Sequence, residues 1–93
     1  MYHHVVLFRF HDATTEAQRT QALESLRALG RFPGACEWRV EPSLDSRKGF
    51  VIAELGVFED ESAFEAWRTS DEHRAVAAEL REISDWLVAD FLD

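Results

Sequence analysis

The sequence predicts an α+β domain of the ferredoxin-like class, with the element order βαββαβ. Two observations support this prediction: strand and helix patterns alternate as two successive βαβ units, and the two strands that would be central are apolar on both faces. Right-handed crossovers interleave two such units into a four-stranded antiparallel sheet with strand order 4-1-3-2. No linker or repeat divides the chain, so we expect residues 1–93 to form one domain.

The composition indicates a folded, acidic domain and argues against several classes of protein. Apolar residues make up 46% of the chain, which is too many for a disordered segment, yet no apolar run reaches the roughly 18 residues of a membrane helix. The formal net charge of −8 and the scattered basic residues argue against a nucleic-acid partner. Cys36 is the only cysteine, so no internal disulfide can form, and we expect it to be a small core residue. No secretory signal is recognisable, and a reducing cytoplasm is the expected location.

The first strand and the first helix have clear signals. Residues 3–10 form a strand in which both alternating sets of side chains are largely apolar. Thr15 and Gln18 are spaced as a capping box, and Gly30 is expected to end the helix that follows. Apolar residues recur along this helix at helical spacing: Ala22, Leu23, Leu26 and Leu29.

The second and third strands differ in character. Residues 36–40 alternate between apolar and charged side chains and are followed by Pro42, which is typical of an edge strand. Residues 50–58 are apolar on both faces, with Glu54 as the exception. The first and third strands are therefore expected at the centre of the sheet.

The second crossover is predicted as a helix in two parts. Asp60 is placed to cap the first part, and Ser70 or Asp71 to cap the second, before a last strand over residues 86–92. The inner faces of both parts carry apolar side chains three or four residues apart: Phe64, Trp67, Val76, Ala77, Leu80 and Ile83.

One face of the predicted sheet lacks a cover, because crossovers of the same hand place all helices on one side. The opposite face carries a set of apolar side chains: Val5, Leu7, Val51, Ala53, Leu55, Val57, Leu87, Ala89 and Phe91. Leaving these in water forfeits roughly 25 cal/mol per Å² of apolar surface, and so large a patch is typical of an interface. We therefore predict a homodimer joined sheet face to sheet face, with a monomer that exposes this face as the alternative.

Several short motifs resemble those of the stress-responsive dimeric α/β-barrel (Dabb) domain family. HHVVLFRF, TTEAQ, GFVIAELGVFED, DEHRAVAAEL and WLVADF occur in the order and spacing of that family over nearly the whole chain. The resemblance implies ferredoxin-like protomers that pair into a dimeric α/β barrel, each with an apolar pocket between sheet and helices. The family includes olivetolic acid cyclase-like proteins, which are polyketide cyclases.

The resemblance also implies site residues. The two histidines that flank the substrate in the cyclase fall on His4 and His73, and a nearby tyrosine falls on Trp67, whose indole is neither acid nor base at neutral pH. Glu54 has the strand parity of the pocket-facing side. It is a candidate second acid or base, or a structural partner of a nearby histidine or arginine. Further expected pocket residues, several of them also core residues, are Val6, Phe8, Leu23, Leu26, Val76, Trp86, Val88 and Asp90.

Topology independently predicts that His4 and His73 are neighbours. The last helix and the first strand both run antiparallel to the last strand, so the start of that helix lies near the start of the first strand. Asp90 reaches the same end and could orient His4 through a hydrogen bond. The helix dipole would keep His73 neutral and able to accept a proton. A purely structural role for these groups is the alternative, and no metal site is expected because the spacing matches no metal signature.

Three functions are compatible with the sequence. The leading one is a small dimer whose apolar pocket binds a small hydrophobic carbonyl or aromatic compound. The sequence leaves open whether the protein also transforms that compound as a cofactor-free, polyketide cyclase-like lyase or isomerase, with His73 as base and His4 as oxyanion or orientation partner. The alternatives are a non-catalytic, stress-responsive ligand-binding or structural dimer, and a cofactor-free monooxygenase-like enzyme. A cavity of about 300 Å³ or more would favour binding or catalysis, whereas an interior filled by Trp67, Trp86 and Phe8 would favour a structural role.

Overall fold

The computed structural model describes residues 1–93 and confirms the ferredoxin-like topology. Its elements are β1 (Tyr2–Phe10), α1 (Glu16–Ala28), a 3-10 turn (Leu29–Arg31), β2 (Ala35–Pro42), β3 (Val51–Phe58), α2 (Glu61–Arg68), α3 (Asp71–Ile83), β4 (Ser84–Val88) and β5 (Phe91–Leu92). The sheet order is β2-β3-β1-β4 and every pair is antiparallel, while β5 pairs with the start of β1. The two strands that are apolar on both faces, β1 and β3, are the central ones.

Capping interactions fix where the helices begin. The Thr15 hydroxyl accepts a hydrogen bond from the Gln18 backbone N–H at 3.1 Å, and the Gln18 side chain accepts one from the Thr15 N–H at 2.8 Å, which confirms the capping box. Asp60 caps α2. The Ser70 hydroxyl caps α3 by accepting from the His73 N–H at 3.2 Å. The cap therefore holds His73 in the first turn of α3.

The last predicted strand is divided in two. The Asp90 carboxylate accepts a hydrogen bond from the backbone N–H of Val5 at 3.3 Å, while the Ala89 N–H donates to the Val5 carbonyl at 2.8 Å. A side chain thus replaces a backbone partner at this point, so the regular ladder stops after Val88 and resumes at Phe91.

Two predictions about single residues were wrong. Gly30 does not end α1, because the chain continues into the 3-10 turn with Gly30 inside it, and a side chain there would overlap the Trp38 ring. Cys36 is not a core residue. A β-bulge between Ala35 and Glu37 shifts the alternation of β2, which leaves the Cys36 thiol exposed.

The hydrophobic core lies between the inner face of the sheet and the helices. Its largest fully buried side chains are Trp67, Phe10, Phe58, Leu26, Ile52 and Leu80. The opposite sheet face has no cover within the chain, since Leu7 is 46% exposed, Leu55 47% and Leu87 70%. None of the helices combines the length and the apolar character needed to cross a membrane.

Candidate active site

A cavity of about 340 Å³ lies between the inner face of the sheet and the helices. Of its 16 lining residues, ten are hydrophobic: Val6, Phe8, Leu26, Leu29, Phe64, Val76, Ala77, Leu80, Trp86 and Val88. The six polar lining residues are His4, Glu54, Glu65, Arg68, His73 and Asp90. Both the volume and the mixture of many apolar walls with a few polar groups are typical of small-molecule sites.

His4 lies on β1, is buried, and has a carboxylate at each ring nitrogen. Its Nδ1 lies 2.7 Å from Asp90 Oδ1, and its Nε2 lies 3.2 Å from Glu54 Oε2. Glu54 reaches this position from β3, where it is paired in register with Val6, two residues beyond His4. Because both nitrogens are occupied, His4 has no free ring nitrogen to offer to a ligand.

Glu54 and His4 form a buried pair in which both pKa values are raised. Burial alone would lower the pKa of His4, but hydrogen bonding and charge attraction from Glu54 and then from Asp90 outweigh it and raise that pKa. Burial raises the pKa of Glu54 above its usual range, against the opposing effect of His4. A proton on His4 Nε2 and a proton on Glu54 give the same net charge. We infer that the pair holds one proton at neutral pH, on either of its two members.

Asp90 is fixed from two further directions. Its Oδ2 accepts a hydrogen bond from the Tyr2 hydroxyl at 2.7 Å, and its Oδ1 accepts from the Val5 N–H. The Tyr2 ring stacks on Phe64 of α2, with ring centroids 4.2 Å apart. The sequence analysis did not identify Tyr2 as a site residue, although its alternation with His4 on β1 is the signal that places both on one face.

His73 is the polar side chain of α3 that faces the cavity. Its ring packs edge-on against Trp67, with centroids 4.5 Å apart, and its ring nitrogens make no hydrogen bond within the chain. Burial lowers the pKa of His73, and the nearby charges of His4 and Arg68 lower it further. The side chain is therefore neutral at pH 7. Burial is the largest of these effects.

Two of the expected pocket residues do not line the cavity. Trp67 is fully buried behind the wall, where its Nε1 donates to the Leu29 carbonyl at 3.2 Å. Its ring also contacts His4, with centroids 5.2 Å apart, so it supports both histidines from the core side. Leu23 packs at the edge of the core and lies outside the cavity.

The cavity wall includes an ion pair that the sequence analysis missed. Arg68 Nη2 lies 2.8 Å from Glu65 Oε2, and both side chains are about half exposed. The spacing of Phe64 and Arg68, four residues apart on α2, is the sequence signal that places Arg68 on the inner side of this helix.

The other two histidines lie away from the cavity. His3 points to the opposite sheet face, where its Nε2 lies 2.8 Å from Asp93 Oδ2 and its ring stacks on Phe91. His11 lies 3.5 Å from Asp85 near the far end of β1. No group of three or more histidine, cysteine or acidic side chains is arranged to hold a metal ion.

The shared proton predicts a loss of stability at alkaline pH. The folded-state pKa values of His4 and Glu54 are both raised, and a group with a raised folded pKa loses its stabilising effect as pH rises above its unfolded value. Neither His73 nor Tyr2 accounts for this loss. The lowered pKa of His73 affects stability only below about pH 6.5, and Tyr2 loses its proton only above about pH 10. We therefore expect Tm to fall by roughly 5 °C between pH 7 and pH 9.

Glu54→Gln is expected to flatten this slope, because it removes the carboxylate that contributes most to the raised pKa of His4. The change of Tm with pH is measured by thermal unfolding at several pH values, monitored by circular dichroism. His11→Gln, which changes an exposed histidine, serves as the control and should keep the wild-type slope. A wild-type Tm that stays level or rises over this interval would contradict the assignment.

Comparison with known proteins places the chain in a wider group. A family model described as the stress responsive A/B barrel domain matches residues 2–93. No curated protein sequence matches the chain.

Several solved structures have the same fold. One is a dimeric ferredoxin-like protein of unknown function from Thermobifida fusca, with 23% identity, a TM-score of 0.87, and coverage of 99% of this chain and 90% of that one. Another is a hydroxynitrile lyase from Passiflora edulis, with 19% identity, a TM-score of 0.83, and coverage of 99% and 92%. A third is SnoaB, a cofactor-independent oxygenase from Streptomyces nogalater, with 20% identity, a TM-score of 0.80, and coverage of 99% and 91%. At these identities the similarity establishes the shared fold.

Proposed function

This chain belongs to the stress responsive A/B barrel domain family, and from that premise we propose that it is a cofactor-independent acid–base catalyst that acts on a small, mostly apolar carbonyl compound. His73 removes a proton from the carbon next to the carbonyl, and the Glu54–His4 pair supplies a proton to the carbonyl oxygen. One observation carries the proposal: a neutral histidine and a proton-holding pair line the same apolar cavity.

His73 has the properties that a general base needs. Burial lowers its pKa, so the imidazole is unprotonated at pH 7, and no side chain of the protein occupies its ring nitrogens. When it takes the proton, the electron pair of the C–H bond moves into the enolate and onto the carbonyl oxygen. Enolate formation is the common first step of aldol-type cyclisation and of isomerisation next to a carbonyl.

Glu54 is the group that delivers the second proton. His4 cannot bind an oxyanion directly, because its nitrogens lie against Asp90 and Glu54. Glu54, by contrast, lines the cavity and has a raised pKa. It donates its proton to the developing oxyanion and takes it back when the enol returns to the ketone, while the protonated His73 returns a proton to the carbon.

The lining charges favour an uncharged substrate. Three carboxyl groups, Glu54, Glu65 and Asp90, face the cavity, and Arg68 and the single shared proton do not fully balance them. An anionic ligand would be repelled, whereas a neutral ketone or phenol suits the ten hydrophobic walls. The same properties suit the non-catalytic alternative, a binding protein for such a compound. The activity of His73→Gln separates the two.

The proposal also includes a homodimer formed through the open sheet face. The face combines exposed apolar residues from four strands, among them Leu7, Leu55, Leu87 and Phe91. A second copy of the chain presents the same patch and could cover it by two-fold symmetry. The structural similarity to a protein described as dimeric supports this assembly.

Filling the cavity should block ligand binding without unfolding the protein. Ala77 lines the cavity from α3, so Ala77→Phe is expected to weaken the binding of a probe ketone such as phenylacetone by about 10-fold or more. Binding is followed through the NMR shifts of the His73 and Val76 amides on titration.

Ala78 offers a matched control for this variant. It is exposed on the same helix and lies outside the cavity, so Ala78→Phe should bind phenylacetone as the wild type does. Equal affinity in the two variants would place the binding site elsewhere.

A further inference from the structure

A continuous line of polar contacts connects a partly buried tyrosine to the cavity. The Tyr2 hydroxyl donates to Asp90 Oδ2 at 2.7 Å, and Asp90 Oδ1 lies 2.7 Å from His4 Nδ1. His4 Nε2 in turn lies 3.2 Å from Glu54 Oε2. The four side chains come from β1, β3 and the segment between β4 and β5, so the folded chain alone brings them together.

We propose that Tyr2 is a positioning residue that, through Asp90, controls how the shared proton is distributed between His4 and Glu54. This inference rests on the proposed function, in which Glu54 must carry that proton to act as an acid. Tyr2 does not line the cavity. Its effect reaches the site through the Asp90 carboxylate and the His4 ring.

The strength of Asp90 as a hydrogen-bond acceptor influences which of His4 and Glu54 carries the proton. A hydrogen bond from the Tyr2 hydroxyl withdraws negative charge from the carboxylate and so weakens its attraction for the Nδ1–H of His4. A weaker attraction at Nδ1 makes Nε2 less basic, and the shared proton then lies more on Glu54. Without the hydroxyl, Asp90 would attract His4 more strongly, and His4 would withdraw the proton from Glu54.

The hydroxyl remains a donor throughout the working range of pH. Partial burial, followed by the hydrogen bond to Asp90, raises the pKa of Tyr2 to about 12. The ring is held by its stack on Phe64, and the Val5 N–H holds the other oxygen of Asp90. The donor, its acceptor and the direction between them are therefore all fixed by the fold.

Other charged groups face His4 and must be considered with Tyr2. Glu54 approaches from β3 and Asp90 from the segment after β4, while His73 lies on α3. Arg68 and Glu65 line the cavity from α2 as an ion pair. None of these groups is changed by removal of the Tyr2 hydroxyl, so a shift in that variant reports the hydroxyl alone.

The test measures the His4 ring directly by NMR in ¹⁵N-labelled protein across a pH titration. Tyr2→Phe keeps the stack on Phe64 and removes only the hydroxyl. It should move the midpoint for loss of the shared proton upward by about half a pH unit. Asp90→Asn removes a carboxylate beside His4 and should move the same midpoint downward. Asp93→Asn, which removes the carboxylate beside His3 on the other sheet face, should leave it unchanged.

The midpoint is expected to move upward in Tyr2→Phe and downward in Asp90→Asn, so the two variants together test the direction of the effect. A midpoint that stays at the wild-type value in Tyr2→Phe, or moves down, overturns the role of Tyr2. The readout requires no substrate, so a protein that catalyses nothing would refute the proposed function and leave this result interpretable. Thermal unfolding of each variant verifies that the titration is measured on folded protein.

Discussion

If the proposed function holds, replacing His73 with glutamine is expected to lower the rate of proton abstraction from the carbonyl compound by about 100-fold or more, which is the usual contribution of a positioned general base. Glutamine approximates the size of the ring and retains hydrogen bonding, but it cannot accept a proton at neutral pH. The measurement is the uptake of deuterium at the carbon next to the carbonyl of phenylacetone in D₂O, followed by NMR. The Ser70 cap of α3 should remain, because the backbone N–H of residue 73 is unchanged. The cavity should remain as well, because the glutamine side chain is close in size to the ring.

The control for this variant is His11→Gln. His11 is an exposed histidine at the opposite end of β1, where its ring lies beside Asp85 and away from the cavity, so its replacement should not change the rate. If His73→Gln exchanges deuterium as fast as the wild type but melts at a lower temperature, then His73 has a structural role and the chain is a binding protein.

Leu7→Glu is expected to dissociate the proposed homodimer, weakening association by about 100-fold or more. Leu7 lies at the centre of the open face, where its register partners are Ala53 on β3 and Leu87 on β4. In a symmetric dimer the substitution places two unpaired carboxylates in an apolar interface, and such charges cost several kcal/mol when they are buried without partners. Sedimentation velocity over a concentration series gives the dissociation constant of each protein.

Leu44→Glu separates an effect of the interface from an effect of charge. Leu44 is fully exposed in the loop between β2 and β3, so the same substitution there should leave association unchanged. A wild-type chain that sediments as a folded monomer at micromolar concentration would refute the dimer and leave the open face without an explanation.

The fold was predictable because several local signals agree with one topology. The double-faced apolar patterns of β1 and β3 marked the central strands, and the Thr15 capping box and the Asp60 and Ser70 caps placed the helix starts. Successive side chains of a strand point to opposite faces, and this alternation was enough to place His3 and His4 on different faces of the sheet. The path of the backbone is therefore indicated by several independent features of the sequence, which all agree.

Details that depend on single contacts were not predictable in the same way. The bulge beside Cys36 reverses the parity of one residue, and nothing in the alternation of β2 indicates it. The inward side of α2 was correctly predicted for Trp67, but whether an indole lines a cavity or lies behind its wall depends on packing in three dimensions. Tyr2 became a candidate only when the ends of the chain were seen to meet at Asp90.

The central claim is that the cavity makes His73 a proton acceptor for a carbonyl compound. The rate of deuterium uptake by phenylacetone, measured from pH 5 to pH 9 with wild-type protein and with an equal concentration of free imidazole, tests it most directly. We expect the protein to exceed imidazole by about 100-fold or more, with a rate that falls at acid pH as His73 is protonated. A protein rate no greater than that of free imidazole at every pH would contradict the account.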